Sequence, residues 1–365
     1  MTSAKRVLVG MSGGVDSSVA ACLLKEQGYE VIGATMDLWS YDAFGGNCGS
    51  ERACCSPETF NDARAVASQI GIPHYVINFR EKFKKEVVDN FISEYMQGRT
   101  PNPCVICNSV IKWVELFKKA EELGCSHIAT GHYASIAFNE KTSLYELHRG
   151  ADPKKDQSYF LYGITQNALS RTLFPLSSVS KEKVREIAKN LGLKTAGKKE
   201  SMEICFIPDN DYRRFLKENV KSFDKKVKQG KMLSVNGEML KREHEGFPFY
   251  TVGQRKGLGG GFAEPMYVKS VDAQNNTVTI GKESEVYSSE VNVSCLNWIS
   301  GVPEENQRCS AKIRFNTTDK PCLIKFLDKN TLRVVFEKPV FAATPGQSCV
   351  IYNDSLVIGG GLIEK

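Results

Sequence analysis

The 365-residue sequence has no run of about 18 or more apolar residues, so no segment of it reads as a membrane-spanning helix. Its opening, MTSAKRVLVGMSGG, lacks both the apolar stretch and the small-residue cleavage site of a secretory signal, and the expectation is a cytoplasmic protein. Internal repeats and low-complexity segments are absent as well. At 41% hydrophobic and 25% charged residues the composition is that of an ordinary soluble chain, and the length suggests two or three domains. Cysteine is plentiful, with 12 residues, yet a reducing compartment argues against a disulfide framework. Cys22, Cys125, Cys322 and Cys349 lie in apolar or strand-like contexts and read as small core residues. Net charge is +6, too mild to prove nucleic-acid binding, but residues 194–242 hold 13 Lys and Arg against 7 Asp and Glu. That local excess suits a phosphate backbone, or simply a solvated lysine-rich surface.

The first half alternates short apolar runs with amphipathic stretches. Strands are expected at 5–11, 30–38, 73–79 and 127–134. Val15, Val19, Cys22 and Leu23 line one helical face, and Phe60, Ala63, Ala67 and Ile70 another. Helices are expected around 81–98 and 109–124. This is the pattern of a doubly wound parallel sheet, whose ligands bind beyond the carboxyl ends of the strands. Beyond residue 210 the helical period fades. Glycine turns and short strands take over, ending in a small antiparallel β-barrel or sandwich. The expected division is 1–210, 211–283 and 284–365.

GMSGGVDSS, residues 10–18, falls between the first strand and the first helix. Glycines let successive N–H groups turn into one concavity, Ser12, Ser17 and Ser18 add hydroxyls, and the helix adds its positive end. The product is an anion cradle suited to pyrophosphate, with Asp16 placed to hold Mg²⁺ among phosphate oxygens. It is neither G-x-G-x-x-G nor G-x-x-x-x-G-K-[ST], because no lysine follows. The plainer reading is an N-capped turn. Ser-Gly-Gly-x-Asp-Ser resembles the loop of ATP pyrophosphatases, which split ATP between the α and β phosphates and adenylate a carbonyl oxygen. That resemblance implies phosphate binding by Gly10, Met11, Ser12, Gly13, Gly14, Val15, Asp16 and Ser17. It implies adenine contact by Met36, otherwise a core residue, and a nucleotide border at Gly131, otherwise a turn glycine.

The loop fixes the activation step and leaves the nucleophile open. No glutaminase unit of Cys, His and Glu accompanies it, so ammonia has no source. Cysteines stand in its place. RTPNPCVICN reads as one loop, and ESMEICFIP holds Cys205 between apolar residues. Cys48, Cys54 and Cys55 read as incidental thiols on a loop. A zinc knuckle lacks its second C-x-x-C or His pair.

Seven segments, GMSGGVDSSVAA, GRTPNPCVICN, ATGHYA, KKDQSYFLYG, SMEICFIP, YTVGQRKGLG and TPGQSCVIYN, together resemble the tRNA-specific 2-thiouridylases, the MnmA family of bacteria and organelles. They run from residue 10 almost to the C-terminus. The resemblance implies adenylation of O2 of a wobble uridine in tRNAs for Lys, Glu and Gln, followed by sulfur delivery to C2 and loss of AMP. It assigns the persulfide to Cys205 and the nucleophile to Cys107, with a transient Cys107–Cys205 disulfide as one outcome. It assigns contact with the flipped base to Asn102, Pro103 and Cys104, and other tRNA contacts to Lys155, Asp156, Gln157, Arg314 and Phe315. A cysteine desulfurase or sulfur-relay protein is the implied donor. Cys104 departs from the family form, where aspartate is common. Cys104, Cys107 and Cys205 could instead carry a [4Fe-4S] cluster with one open iron that binds sulfide. His132 reads as structural, and the Gly-rich loop with Arg255 and Lys256 stays unassigned. Two rivals remain: a lysidine-type synthetase with an amine acceptor, and a non-catalytic tRNA-binding protein that kept its ATP loop.

Overall fold

The computed structural model describes residues 5–39, 57–198 and 204–364, which divide into two compact units. The first holds residues 5–87, 104–212 and 355–357, and the second holds 88–103, 213–354 and 358–364, within those described. Cys48, Cys54 and Cys55 lie outside the described residues.

The first unit is built on five parallel strands: β1 (Arg6–Gly10), β2 (Glu30–Asp37), β3 (His74–Asn78), β4 (His127–Thr130) and the short β7 (Thr172–Leu173), in the order β3-β2-β1-β4-β7. Val7, Leu8 and Val9 of β1 are fully buried, as a central strand covered on both faces requires. Helix α1 (Val15–Glu26) follows β1 and α2 (Pro57–Gln69) precedes β3. The predicted α2 stripe is rotated slightly: Thr59, Ala63, Val66 and Ala67 are buried, whereas Phe60 and Ile70 are half-buried.

Another helix, α3, leads into β4. It begins as Pro103–Ile106, continues as π-helical turns over Cys107–Glu115, and ends as Leu116–Glu122. RTPNPCVICN was expected to be a loop throughout, and the helix to start near 109. Proline at the first helical position instead starts the helix, because its missing N–H has no intrahelical acceptor there. Ile111, Trp113 and Leu116 are buried. Hairpin strands β5 (Ala134–Asn139) and β6 (Leu144–Arg149) follow β4, and Leu356 and Val357 pair with His148 and Leu147 of β6. Helix α4 (Lys181–Asn190) is capped by Ser180, whose hydroxyl accepts from the Lys183 N–H, and packs Val184 and Ala188 with α1.

The second unit holds a four-stranded sheet of β8 (Gly230–Ser234), β9 (Met239–His244), β10 (Met266–Asp272) and β11 (Thr277–Lys282), ordered β10-β11-β8-β9. It also holds a closed antiparallel barrel of six strands: β12 (Tyr287–Trp298), β13 (Arg308–Lys312), β14 (Lys320–Phe326), β15 (Leu332–Phe341), β16 (Ser348–Asn353) and β17 (Leu356–Ile363). β17 closes the barrel by pairing with β12. Alternate residues such as Leu332, Val334 and Phe336 fill its interior. The doubly wound sheet and C-terminal barrel expected from the sequence are both present. Among the described residues no helix is long and apolar enough to cross a membrane.

Candidate active site

Strand order reverses between β1 and β4, and the crevice at their carboxyl ends is where such sheets take ligands. The loop from Met11 to Gly14 leaves β1 there. Met11 N–H donates to Ala34 O at 2.8 Å, and Thr35 Oγ1 donates to Met11 O at 2.8 Å, which fixes the loop against β2. Gly13 has φ +64°, and a Cβ on it would lie 2.4 Å from Thr59 O. Ser12 N–H donates to Ser17 Oγ at 3.1 Å, so the loop folds back on the helix it opens. Gly14, which has no side chain, is the N-cap of α1, so neither a Ser nor an Asp caps this helix as the plainer reading had it. Gly131 closes the other wall: a Cβ there would stand 2.7 Å from Asp16 C and 2.7 Å from Ser17 N. Its role as a close-approach glycine is a property of the backbone around it. Met36 is half-buried near the end of β2.

Asp16 is not idle. Lys181 Nζ lies 2.7 Å from each of its carboxylate oxygens, and the Tyr133 hydroxyl donates to Oδ1 at 2.7 Å. The carboxylate is therefore already neutralised, and the residues as arranged do not offer Mg²⁺ an unengaged carboxylate here. Lys198 Nζ donates to Gly13 O at 3.0 Å and to Asp62 Oδ2 at 2.8 Å. Asp62 is held below the usual carboxylate range by Lys198 and Lys194, against the opposing effect of its burial. Two ammonium groups thus flank the loop, neither of them singled out by the sequence.

α3 runs antiparallel to the strands because it leads directly into β4, so its first turns lie at the carboxyl edge that bears the loop. Its last turns rest on β1, with Leu116 Cδ2 the nearest atom to a Cβ built on Gly10, at 3.5 Å. Cys104 is exposed and Cys107 half-buried, three positions apart and so on one helical face. Asn108 Nδ2 donates to Phe160 O at 3.1 Å and Trp113 Nε1 to Thr172 Oγ1 at 2.8 Å, which anchors the helix. π-helical turns recur at functional positions, and Cys107 begins this one.

Cys205 is half-buried in a turn whose neighbours Phe206 and Ile207 are buried. Phe206 meets Phe83 edge-on at 5.7 Å. Phe83 lies on the short helix Arg80–Phe83, which packs against the turns beginning at Cys107, so the two cysteine segments share a neighbour. Among the described residues no group of three or more Cys, His, Asp or Glu side chains is gathered to hold a metal. Cys104, Cys107 and Cys205 therefore do not form a ready cluster site as arranged.

Of the expected tRNA contacts, Asp156 is buried and spends its carboxylate on its own loop, accepting from Ser158 N, Ser158 Oγ and Gly150 N. Gln157 Oε1 accepts from Tyr133 N–H at 3.1 Å, and so supports the residue that holds Asp16. Lys155 is half-buried. His132, expected to be structural, has Nδ1 2.6 Å from Thr130 Oγ1 and Nε2 3.4 Å from Lys112 Nζ. Burial, with Lys112 second, holds its imidazole well below the ordinary value.

In the second unit, Asn102 and Pro103 end a segment fixed by Thr100 N donating to Pro345 O at 2.8 Å and by Gln347 Nε2 donating to Thr100 O and Pro101 O. Arg314 and Phe315 stand in the turn between β13 and β14. The Arg314 guanidinium donates to Val252 O at 2.6 Å and to Thr344 Oγ1. Lys312 Nζ lies 5.3 Å from the Phe315 ring centre. Arg242 of β9 stacks on Phe262 of the Gly-rich loop at 4.4 Å and donates to Leu258 O and Gly260 O, and Arg255 and Lys256 line that loop's cavity of about 500 Å³.

The parallel sheet and its Ser-Gly-Gly-Val-Asp-Ser loop define a nucleotide-binding domain of the ATP-pyrophosphatase class. Residues 5–209 match the family model described as tRNA methyl transferase HUP domain. Residues 213–282 match tRNA methyl transferase PRC-barrel domain, and 288–363 match Aminomethyltransferase beta-barrel domain. The tRNA-specific 2-thiouridylase MnmA of Carboxydothermus hydrogenoformans is 49% identical over 364 residues, covering 99% of this chain and 98% of that protein. Those of Salinibacter ruber and Acetivibrio thermocellus are 46% and 48% identical, covering 100% and 99% of this chain and 96% and 100% of theirs. The chain belongs to the tRNA-specific 2-thiouridylase family.

Proposed function

We propose that this protein is an ATP-dependent tRNA sulfurtransferase that converts the wobble uridine of tRNAs for Lys, Glu and Gln to 2-thiouridine. The observation that carries this reading is that the helix bearing Cys107 opens at the same sheet edge as the phosphate loop and Gly131. Residues 1–210 form the adenylating domain, and 211–283 and 284–365 bind tRNA. Loop amides from Met11 to Ser17 hold the ATP phosphates, Met36 borders adenine, and Lys181 and Lys198 offset phosphate charge. Mg²⁺ brought in with the nucleotide would neutralise phosphate oxygens, and no residue of the loop is assigned to hold it.

O2 of the flipped uracil attacks the α-phosphorus, and the bond to pyrophosphate breaks. C2 then bears AMP as a leaving group. The terminal sulfur of a Cys205 persulfide adds to C2 and AMP departs with the original O2. Cys107 thiolate attacks the Cys205 sulfur, releasing the new thiocarbonyl and leaving a Cys107–Cys205 disulfide for an external thiol to reduce. In the variant order, Cys107 attacks first and hydrosulfide carries the sulfur to C2. Both orders need a thiolate at Cys107. Asn102, Pro103 and Cys104 flank the base, and Lys155, Arg314 and Phe315 hold the anticodon arm. A cysteine desulfurase or relay protein of the cytoplasm recharges Cys205.

Mixing ATP and unmodified tRNA with the Cys205→Ser variant tests the reading. Pyrophosphate release should persist while thiouridine formation stops. Retained product formation would identify an amine-type or other acceptor chemistry, and absence of pyrophosphate release by wild type would identify a non-catalytic tRNA binder.

A further inference from the structure

A second pair of cysteines stands in the barrel, apart from Cys107 and Cys205. Cys309 of β13 and Cys322 of β14 are direct partners across the antiparallel pair, and their sulfurs are 3.5 Å apart. Residues directly opposite in such a pair have Cα atoms about 4.5 or 5.5 Å apart, within the range of about 4.4–6.8 Å that disulfides span. Sulfur contact already exists, so bond formation at about 2.05 Å needs a side-chain rotation and no change of register. The environments differ usefully. Cys309 is half-buried, whereas Cys322 is buried at 2% exposure. Either sulfur can donate to the other, and Cys309 Sγ also lies 3.8 Å from Cys322 O. The shared bond holds the Cys309 thiol below its ordinary value against the opposing pull of burial, while the same bond and burial raise Cys322. Cys349, also in this core, is pushed up to about 12 by burial and is a poor nucleophile. The chain between Cys309 and Cys322 is the hairpin that presents Arg314 and Phe315.

We infer that Cys309 and Cys322 form an oxidisable dithiol that a small peroxide converts to a disulfide, stapling the base of the Arg314–Phe315 hairpin. Cys309 thiolate attacks one peroxide oxygen, the O–O bond breaks, and hydroxide leaves, giving a sulfenic acid at Cys309. The Cys322 sulfur then attacks the Cys309 sulfur. The S–O bond breaks, the thiol proton leaves with the hydroxyl as water, and the disulfide holds the two electrons fewer that the peroxide took. Only access to Cys309 is required, because Cys322 needs to meet nothing but its neighbour.

Peptide mapping of the intact chain after treatment with hydrogen peroxide tests this directly. Trypsin cuts after Arg308, Lys312, Arg314 and Lys325 and leaves 309–312 joined to 315–325 if the bond forms. A Cys107–Cys205 bond would join different peptides, so the two dithiols are read separately. The expected result is a 309–312/315–325 cross-link reversed by dithiothreitol, with slower hydrogen exchange over residues 313–319 in the oxidised form. In the Cys322→Ser variant, whose hydroxyl can still donate to the Cys309 sulfur, dimedone should label Cys309. Failure of the wild-type cross-link to form, exchange over 313–319 that is unchanged by it, or dimedone labelling absent from Cys309 in a folded Cys322→Ser protein would each overturn the inference.

Discussion

Lys181 sets its ammonium 2.7 Å from both carboxylate oxygens of Asp16, a residue 165 positions earlier in the chain. The pair ties the first turn of α4 to the phosphate loop, with Tyr133 as a third member. Lys181 is nearly buried, its side chain 7% exposed against 31% for Asp16. Replacing Lys181 with methionine leaves Asp16 without its counter-charge beside incoming phosphates. Because Asp16 still reaches solvent, the stability loss should be about 1–3 kcal/mol, less than for a fully buried pair. KM for ATP should rise by on the order of tenfold or more. Thermal melting and ATP titration of pyrophosphate release check the two effects, and an unchanged KM would remove Lys181 from the nucleotide site.

Gly131→Ala probes the opposite wall. The new methyl meets backbone atoms of Asp16 and Ser17, which cannot rotate away, so the loop must shift. A displacement near 1 Å at a reacting phosphate can cost on the order of 100-fold in rate. Pyrophosphate release should fall by that order while circular dichroism stays unchanged. A rate within a few-fold of wild type would show that the wall is not part of the site.

Much of this arrangement is legible in the sequence. The loop residues are consecutive and lie between a strand and a helix, so local sequence carries their geometry. Gly131 was legible by its place at a strand end. Lys181 and Lys198 were not: both sit in lysine-rich stretches that read as solvated surface, and only the crossing of α4 over the sheet brings Lys181 to Asp16. The start of α3 was hidden by its prolines and asparagines, which signal a loop as strongly as a helix beginning. Asp156 reads as a polar surface residue because nothing in its neighbours announces that Ser158 and Gly150 will enclose it. The β5–β6 hairpin went unread because its residues alternate only weakly between apolar and polar.

His132 gives the molecule an acid sensitivity of definite sign. Its imidazole is held well below 6.5 by burial first and by Lys112 second, so in the folded chain it stays neutral where the unfolded chain would take a proton. Its contribution to stability is therefore full above about pH 6.5 and declines as pH falls below that value, by no more than about 1.4 kcal/mol per pH unit. Urea midpoints at pH 7.5 and 5.5 should differ in that direction, and His132→Gln should shrink the difference. Equal pH dependence in wild type and variant would contradict the assignment.

Arg314→Ala removes the bonds to Val252 O and Thr344 Oγ1 and any phosphate contact the guanidinium makes. Binding of the tRNA anticodon arm should weaken, and if a phosphate contact is lost, the slope of log K against log salt should flatten by about one unit. Nitrocellulose filter binding across a salt series gives both quantities. An unaltered slope with intact affinity would place Arg314 wholly in the service of the barrel.

The central claim is that one uracil oxygen is activated by adenylation and leaves with AMP. Unmodified tRNA labelled with oxygen-18 at O2 of the wobble uridine, turned over once with ATP and a sulfur donor, tests it most directly. The account predicts one labelled oxygen in AMP for each 2-thiouridine formed, measured by mass spectrometry. Thiouridine formation with unlabelled AMP would contradict it.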